Sequence, residues 1–328
     1  MTLNDAIASL RGKTDLTADD ALLMRRAVFA GDVAIDREEA DALFELNAGA
    51  GTLAREWRDF FAEAITDFVV RQQAPAGYVN ETQAGWLIEA CSRHGRLRED
   101  ELDALVHVLE AADHCPQQLQ DFVLSSLRSL ALWRLHNHRR LTASDIARLK
   151  RLLFATGGAG DIGVTRAEAE ALLDINDALG DARVEGDWRA LFVSAVANSV
   201  LFRSTWSPVA ERAAQNEAWA QDIEINPMKR LGDMRSAMDG VRDGFAALAT
   251  WNFDNKAWAD QVEAKAGLMA EAEAVTEDEA SWLFDRLGRN GRFDENERAL
   301  VEFIRKNAGA TGPGFQVRLN QLGALGGS

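Results

Sequence analysis

An apolar residue followed four positions later by an acidic residue recurs along the chain, each time just before a stretch with helical periodicity. There are eight such pairs, and only Gln83 is not acidic: Leu16/Asp20, Ile35/Glu39, Val79/Gln83, Leu97/Glu101, Leu141/Asp145, Val164/Glu168, Val275/Glu279 and Phe293/Glu297. Apolar residues then follow at spacings of three and four, as on one face of an α-helix. The pattern therefore predicts eight helix starts.

The residue directly after each apolar position is suited to cap a helix. In chain order these residues are Thr17, Asp36, Asn80, Arg98, Thr142, Thr165, Thr276 and Asp294. All but Arg98 carry a side-chain oxygen that can accept hydrogen bonds from the free N–H groups of the first turn. The acid three residues later can return a hydrogen bond to the cap, which is the capping-box arrangement. We therefore interpret the recurrent acids as capping residues.

The eight starts also show that the chain is a repeat. They fall into four pairs whose members are 18 to 23 residues apart, which suits two helices joined by a short loop. Four longer segments then recur in the second half: 16–30 in 141–155, 37–47 in 166–176, 56–70 in 187–201, and 80–101 in 276–297. We predict an all-α fold built by tandem duplication, with a first half at 1–138 and a second at 139–328. The second half contains a helical insertion at about 207–273.

Composition and charge narrow the classes of partner. The chain has 328 residues, is 47% hydrophobic and carries a net charge of −16. Duplex nucleic acid and anionic membranes both attract clustered cations, so neither is expected as the main partner. No apolar run is long enough for a membrane span, no secretory signal pattern is present, and two cysteines make no disulfide framework. These features predict a cytoplasmic protein.

Two segments, 94–105 and 290–301, resemble the second half of an EF-hand loop and the helix that follows it. Gly95, Leu97 and Glu101 match the glycine, apolar and glutamate positions of that loop, as do Gly291, Phe293 and Glu297. The same short pattern is similar to the TerB-like helical domains of bacterial tellurite-resistance and stress systems. The resemblance implies helix-loop-helix pairs whose loops touch through their apolar residues.

The calcium chemistry of that family does not carry over. The first loop position, where calcium loops have aspartate, holds Ser9, Val28, Gln72, Ala90, Arg134, Gly157, Leu268 or Arg286. No metal and no cofactor is therefore expected. If any cation is bound, Glu39, Glu101, Glu168 and Glu297 are the residues that would hold it. A divalent-cation-responsive metal-binding or stress-response protein is thus the alternative function.

All five histidines and both cysteines fall within 91–138, so a transition-metal site is conceivable there. The internal repeat favours another interpretation. It aligns Cys91 with Leu287 and His107 with Phe303, and both are core positions. A helical enzyme with its site near His94–His138 is the least favoured hypothesis.

No zinc-protease, serine-hydrolase or phosphate-loop motif occurs in the sequence. We therefore expect a non-catalytic interaction or adaptor protein that binds another protein. The insertion supplies three tryptophans for such a surface, Trp219, Trp251 and Trp258, and tryptophan is enriched at binding hot spots. A second candidate surface is the locally basic patch formed by Arg134, Arg139 and Arg140.

Overall fold

A computed structural model of the chain describes residues 2–29, 34–93, 95, 97–155, 158, 164–180, 186–201, 277–289 and 293–307. The chain divides into two compact units, Met1–Asp161 and Ile162–Ser328. The described residues are predominantly helical, which confirms the all-α fold class. None of the described helices is long and apolar enough to cross a membrane. The predicted insertion at 207–273 lies outside the described residues.

The helices of the first unit are α1 (Leu3–Leu10), α2 (Ala18–Phe29), α3 (Arg37–Gly49), α4 (Arg55–Thr66), α5 (Glu81–Ser92), α6 (Glu99–Ala111), α7 (Gln117–His136) and α8 (Ala143–Leu153). Helix α4 continues into a π-helical turn at Asp67–Arg71. The described helices of the second unit are α9 (Arg166–Leu179), α10 (Gly186–Leu201), α11 (Glu277–Arg286) and α12 (Glu295–Asn307).

Seven of the eight helix starts that the sequence predicts are confirmed to the residue. Helices α2, α3, α5, α6, α8, α9 and α12 each begin directly after the predicted cap, whereas Thr276, the predicted cap of α11, lies outside the described residues. A further capping box, which the sequence analysis did not predict, opens α1, where the Thr2 side chain accepts from the Asp5 amide and Asp5 accepts from the Thr2 amide. Helix α7 was not predicted, because it begins after Pro116 and has no side-chain cap.

One aromatic helix lies at the centre of each unit. In the first unit α4 packs against α2, α3 and α6, and in the second α10 packs against α9, α11 and α12. The inner face of α4, which includes Trp57, Phe60 and Phe61, is completely buried. Trp188 and Phe192 are equally buried in α10. Each large apolar side chain removed from water stabilises the fold by about 1.5–3 kcal/mol, so these two helices anchor the cores.

A buried asparagine joins three helices of the first unit. The Trp57 indole N–H on α4 donates to the Asn47 carbonyl on α3 at 3.1 Å. The Asn47 amide N–H in turn donates to the carboxylate of Asp100 in the first turn of α6. Buried polar groups are costly unless they are paired, so this relay permits only one register of the three helices.

The second unit contains a corresponding relay. Trp188 donates to Asn176 at 3.2 Å, and Asn176 donates to the Asp294 carboxylate at 2.7 Å. The sequence repeat pairs Asp294 with Arg98, so the acceptor stands two residues earlier than in the first unit. Asn296, which occupies the position of Asp100, donates to the Asn176 carbonyl at 2.8 Å. The relay recurs in the second unit, although the acceptor carboxylate occupies a different position of the repeat.

The β-bridge contacts of the first unit differ from those between the two loops of an EF-hand pair. EF-hand loops that touch through their apolar residues would pair Leu16 with Ile35. The described strands instead pair Leu16 with Leu53, in a short parallel ladder of Asp15–Leu16 and Thr52–Leu53. The EF-hand form of loop contact therefore does not hold for Leu16.

The compact units and the sequence repeat divide the chain at different points. The repeat begins its second half after residue 138, whereas the first compact unit extends to Asp161. Helix α8 opens the second repeat by sequence, yet it packs against α6 and α7 of the first unit. Ion pairs connect it to α6: Arg148 pairs with Asp103 and Glu99, and Arg151 pairs with Glu110.

Replacing Asn47 by alanine should destabilise the first unit by about 2–4 kcal/mol, because a buried indole N–H and a buried carboxylate each lose their partner. Hydrogen exchange measured by mass spectrometry should show faster exchange in α4 and α6. Asn176→Ala should have the same effect on α10 and α12.

The matched control is Gln118→Ala, which removes an exposed amide in the first turn of α7. It should leave exchange unchanged to within about 0.5 kcal/mol of local stability. An Asn47 variant that exchanges like this control would show that the relay does not hold the three helices.

Candidate functional site

The recurrent acids are confirmed as capping residues wherever their side chains are described. Glu168 accepts from the Thr165 amide at 2.7 Å, and the Thr165 hydroxyl accepts from the Glu168 amide at 3.2 Å. Seven of the eight predicted pairs make this backbone-to-acid bond, or its glutamine counterpart at Gln83. The eighth acid, Glu279, has a side chain outside the described set. Each helix start thus occupies one oxygen of its acid.

In several of these boxes the remaining side-chain atom holds a neighbouring segment. Asp20 accepts from Lys13 at 2.6 Å, Glu39 from Asn4 at 3.0 Å, and Glu297 from the Gly288 amide at 2.8 Å. Gln83 donates to the carbonyl of Val69 at 3.0 Å. The box residue therefore caps its own helix and also fixes the element that precedes it.

Glu101 departs from this pattern. Its Oε2 accepts from the Arg98 amide at 2.9 Å, but its Oε1 is buried and has no hydrogen-bond partner among the described residues. Burial raises the pKa of Glu101 to about 7, with the nearby Asp100 carboxylate adding to the shift.

Burial has the same effect in the second unit. It raises the pKa of Glu168 to about 7 and also raises the pKa of Glu297. A buried carboxylate without a nearby cation is unfavourable, so these acids hold a proton to a higher pH than exposed ones.

The four glutamates named as possible metal ligands are divided equally between the two units. Glu39 and Glu101 belong to the first unit, on α3 and α6, and Glu168 and Glu297 belong to the second, on α9 and α12. In the described part of the chain, no three histidine, cysteine or acidic side chains are placed to share an ion.

The described histidines and cysteines form no metal-binding group of three with one another or with acidic residues. Cys91 and Cys115 are free and buried, and burial raises the pKa of Cys115 to about 12. The His114 ring lies beside that of Tyr78, tilted by 41° with the ring centroids 5.9 Å apart. His94 lies outside the described residues.

The expectation that His107 is a core residue is wrong. Its side chain is 37% exposed, and its Nδ1 lies 3.6 Å from the carboxylate of Glu110. His107 lies on the side of α6 that faces a polar cleft rather than the core.

The predicted basic patch is split by the structure. Arg134 is only 13% exposed, because its guanidinium lies between the carboxylates of Glu99 and Asp145. Arg139 and Arg140 are exposed after the end of α7, and Arg139 lies over the Trp133 ring at 4.9 Å. Trp219, Trp251 and Trp258 lie outside the described residues, so that candidate surface stays a prediction.

A feature that the sequence analysis missed is an arginine-lined cleft within the first unit. It encloses about 680 Å³ between α2, α4, α6 and α8. Its lining includes the arginines Arg25, Arg55, Arg58, Arg148 and Arg151. The sequence does contain a signal for this cleft. On α4 and again on α8, two arginines are three residues apart and therefore share a helix face. Only tertiary packing brings the two pairs to one cleft.

Comparison with known proteins gives no relative: no protein-family model, no curated protein and no solved structure matches this chain.

Glu168→Gln should make stability less dependent on pH. The folded protein holds the Glu168 proton up to about pH 7. The stability that the neutral side chain contributes is therefore lost as pH rises from about 4.5 to 7. Glutamine stays neutral and can still cap, as Gln83 does in α5. Urea unfolding should show little change at pH 5 and a gain of about 1–3 kcal/mol at pH 8.

Glu38→Gln is the control, because Glu38 lies in the first turn of α3 but is exposed. It should change stability by less than about 0.5 kcal/mol at either pH. An equal loss of stability at pH 5 and pH 8 in the Glu168 variant would contradict the assigned role of burial.

Proposed function

We propose that this chain is a non-catalytic helical adaptor, formed by duplication of an EF-hand-like or TerB-like unit without calcium loops, that binds another protein in the cytoplasm. The observation that carries the duplication is a second contact set found in both units. Trp86 donates to Asp41 at 3.0 Å and lies under the Arg37 guanidinium at 5.0 Å. At the repeat-equivalent positions Trp282 donates to Glu170 and lies under Arg166 at 4.9 Å.

Recurrence of this set supports a common origin for the two units. An arginine, a tryptophan and an acid are brought together from two helices in each case, α3 with α5 and α9 with α11. A shared hydrophobic periodicity alone would not require the same polar triplet at matching positions. The Arg–Trp–acid triplet is therefore more specific support for the duplication than the short Gly–apolar–Glu loop motif.

The described surface best suited to a partner lies at the end of α7. Trp133 is 36% exposed and is covered on one side by Arg139, with Arg140 beside it. Tryptophan and arginine are the residues most enriched at binding hot spots. An exposed cation–π pair with an additional arginine suits a partner that presents acidic and aromatic side chains.

A divalent-cation response is the second candidate function. It is favoured by the unpartnered buried oxygen of Glu101, the kind of ligand that hard cations prefer. The other capping acids already accept hydrogen bonds from backbone amides. They therefore have less capacity to bind a cation, which favours the adaptor function.

The adaptor proposal predicts a partner that depends on the α7 surface. Affinity capture with the full chain as bait should retain one protein that is lost with the double variant Arg139→Glu, Arg140→Glu. The reversed charges would repel an acidic partner and remove the cation above Trp133. Mass spectrometry would identify the protein, and binding should be reproduced with both purified partners.

Arg11→Glu is the matched control, because Arg11 is an exposed arginine just after α1. Capture should be unaffected by this change. The proposed surface is wrong if bait with reversed α7 charges retains the same proteins as wild type.

The two candidate functions also differ in their response to metal. If the adaptor proposal is right, millimolar Ca²⁺, Mg²⁺ or Zn²⁺ should alter neither the tryptophan fluorescence nor the melting temperature. A saturable shift that Glu101→Gln abolishes would instead support the cation-responsive function.

A further inference from the structure

The cleft between α2, α4, α6 and α8 has the dimensions of a ligand site. Its volume of about 680 Å³ falls in the range of small-molecule pockets. Among its described lining residues are five arginines; Arg148 and Arg151 are balanced by carboxylates of α6, which leaves Arg25, Arg55 and Arg58 against Asp59 and Glu63, an excess of one positive charge. This local excess occurs in a chain whose net charge is −16.

One wall of the cleft holds arginines with spare donors. No ion pair or hydrogen bond engages the Arg58 side chain in the described part of the chain. The Nε of Arg25 is buried and has no partner there, although its Nη2 lies 2.8 Å from Glu63. Arg55 approaches Asp59 only to 3.6 Å, and the two side chains are 84% and 54% exposed. Such surface pairs are weak and can be displaced by a stronger anion.

The opposite wall is rigid. Arg148 forms a two-pronged contact with Asp103 at 2.8 and 3.0 Å and a further one with Glu99 at 3.0 Å. Arg151 is held in the same two-pronged manner by Glu110. These carboxylates balance both charges and fix the two guanidinium groups in place. Pre-ordered donors lose less conformational entropy when a ligand binds.

The chemistry of the lining points to phosphate. A guanidinium presents a planar fork that matches phosphate oxygens, and one phosphate can accept from several forks at once. Apart from His107, the lining has no aromatic side chain on which a nucleobase could stack. The ligand class is therefore recognised through its anionic groups.

We propose that this cleft binds a compact small molecule carrying two or more phosphate groups, with Arg25, Arg55 and Arg58 making the direct contacts. Arg148 and Arg151 form the rigid opposite wall of the site. A ligand phosphate would displace Asp59 and Glu63 from their weak pairs and supply a partner to the buried Nε of Arg25.

Titration calorimetry of the full chain with inorganic tripolyphosphate, in metal-free buffer near physiological salt, tests the proposal. We expect saturable binding with one ligand per chain. Arg58→Ala should weaken the affinity about tenfold or more, because an arginine–phosphate contact contributes about 1.5–3 kcal/mol. Glu63→Gln should tighten binding, since it removes a carboxylate that competes for Arg25.

Arg26→Ala is the matched control. It removes one exposed arginine from α2, next to Arg25 but outside the cleft lining. It should change the affinity less than twofold, and melting temperatures should confirm that all variants are folded. Absence of binding to wild type at millimolar tripolyphosphate would overturn the proposal, and so would an equal loss of affinity in the Arg26 and Arg58 variants.

Discussion

The arrangement of helices in each unit depends on one buried amide. Asn47 and Asn176 each accept from a completely buried tryptophan and donate to a carboxylate at the start of another helix. Apolar packing alone tolerates sliding of one helix on another, because it has no preferred direction. A buried hydrogen-bonded relay does not, because any shift leaves at least one polar group unpaired. The aromatic helix is thereby fixed at the centre of its unit.

The capping acids extend the same principle to the helix ends. An acid at the start of a surface helix is usually exposed, and it then stabilises only its own first turn. In this protein Glu39, Glu168 and Glu297 are buried. The bonds of Glu39 to Asn4 and of Glu297 to the Gly288 amide connect each helix start to an earlier segment. Burial supplies this cross-link and also raises the pKa of Glu168 to about 7. Because of this raised pKa, the stability of the protein depends on pH in the range just below neutral.

Charge is distributed unevenly over this acidic chain, and the two proposed binding regions both use clustered arginines. Arginines that hold helices together, such as Arg148, are surrounded by carboxylates and have balanced charges. Arginines at Arg58 and Arg140 face solvent. An anionic ligand or an acidic partner gains most from the second group, since the charges of the first are already balanced by carboxylates. The structural and the binding roles of arginine are therefore separated by packing.

The sequence by itself determined the local features, because helix capping involves residues only three positions apart and leaves a pattern that can be read along the chain. The seven predicted starts that the described residues test and the all-α class followed from it. Helix α7 was not predicted, because its start has no capping box. The exposure of His107 and the arginine cleft were decided by tertiary structure alone. Each depends on which face of α8 meets α6, and that contact joins residues about 45 positions apart in the chain.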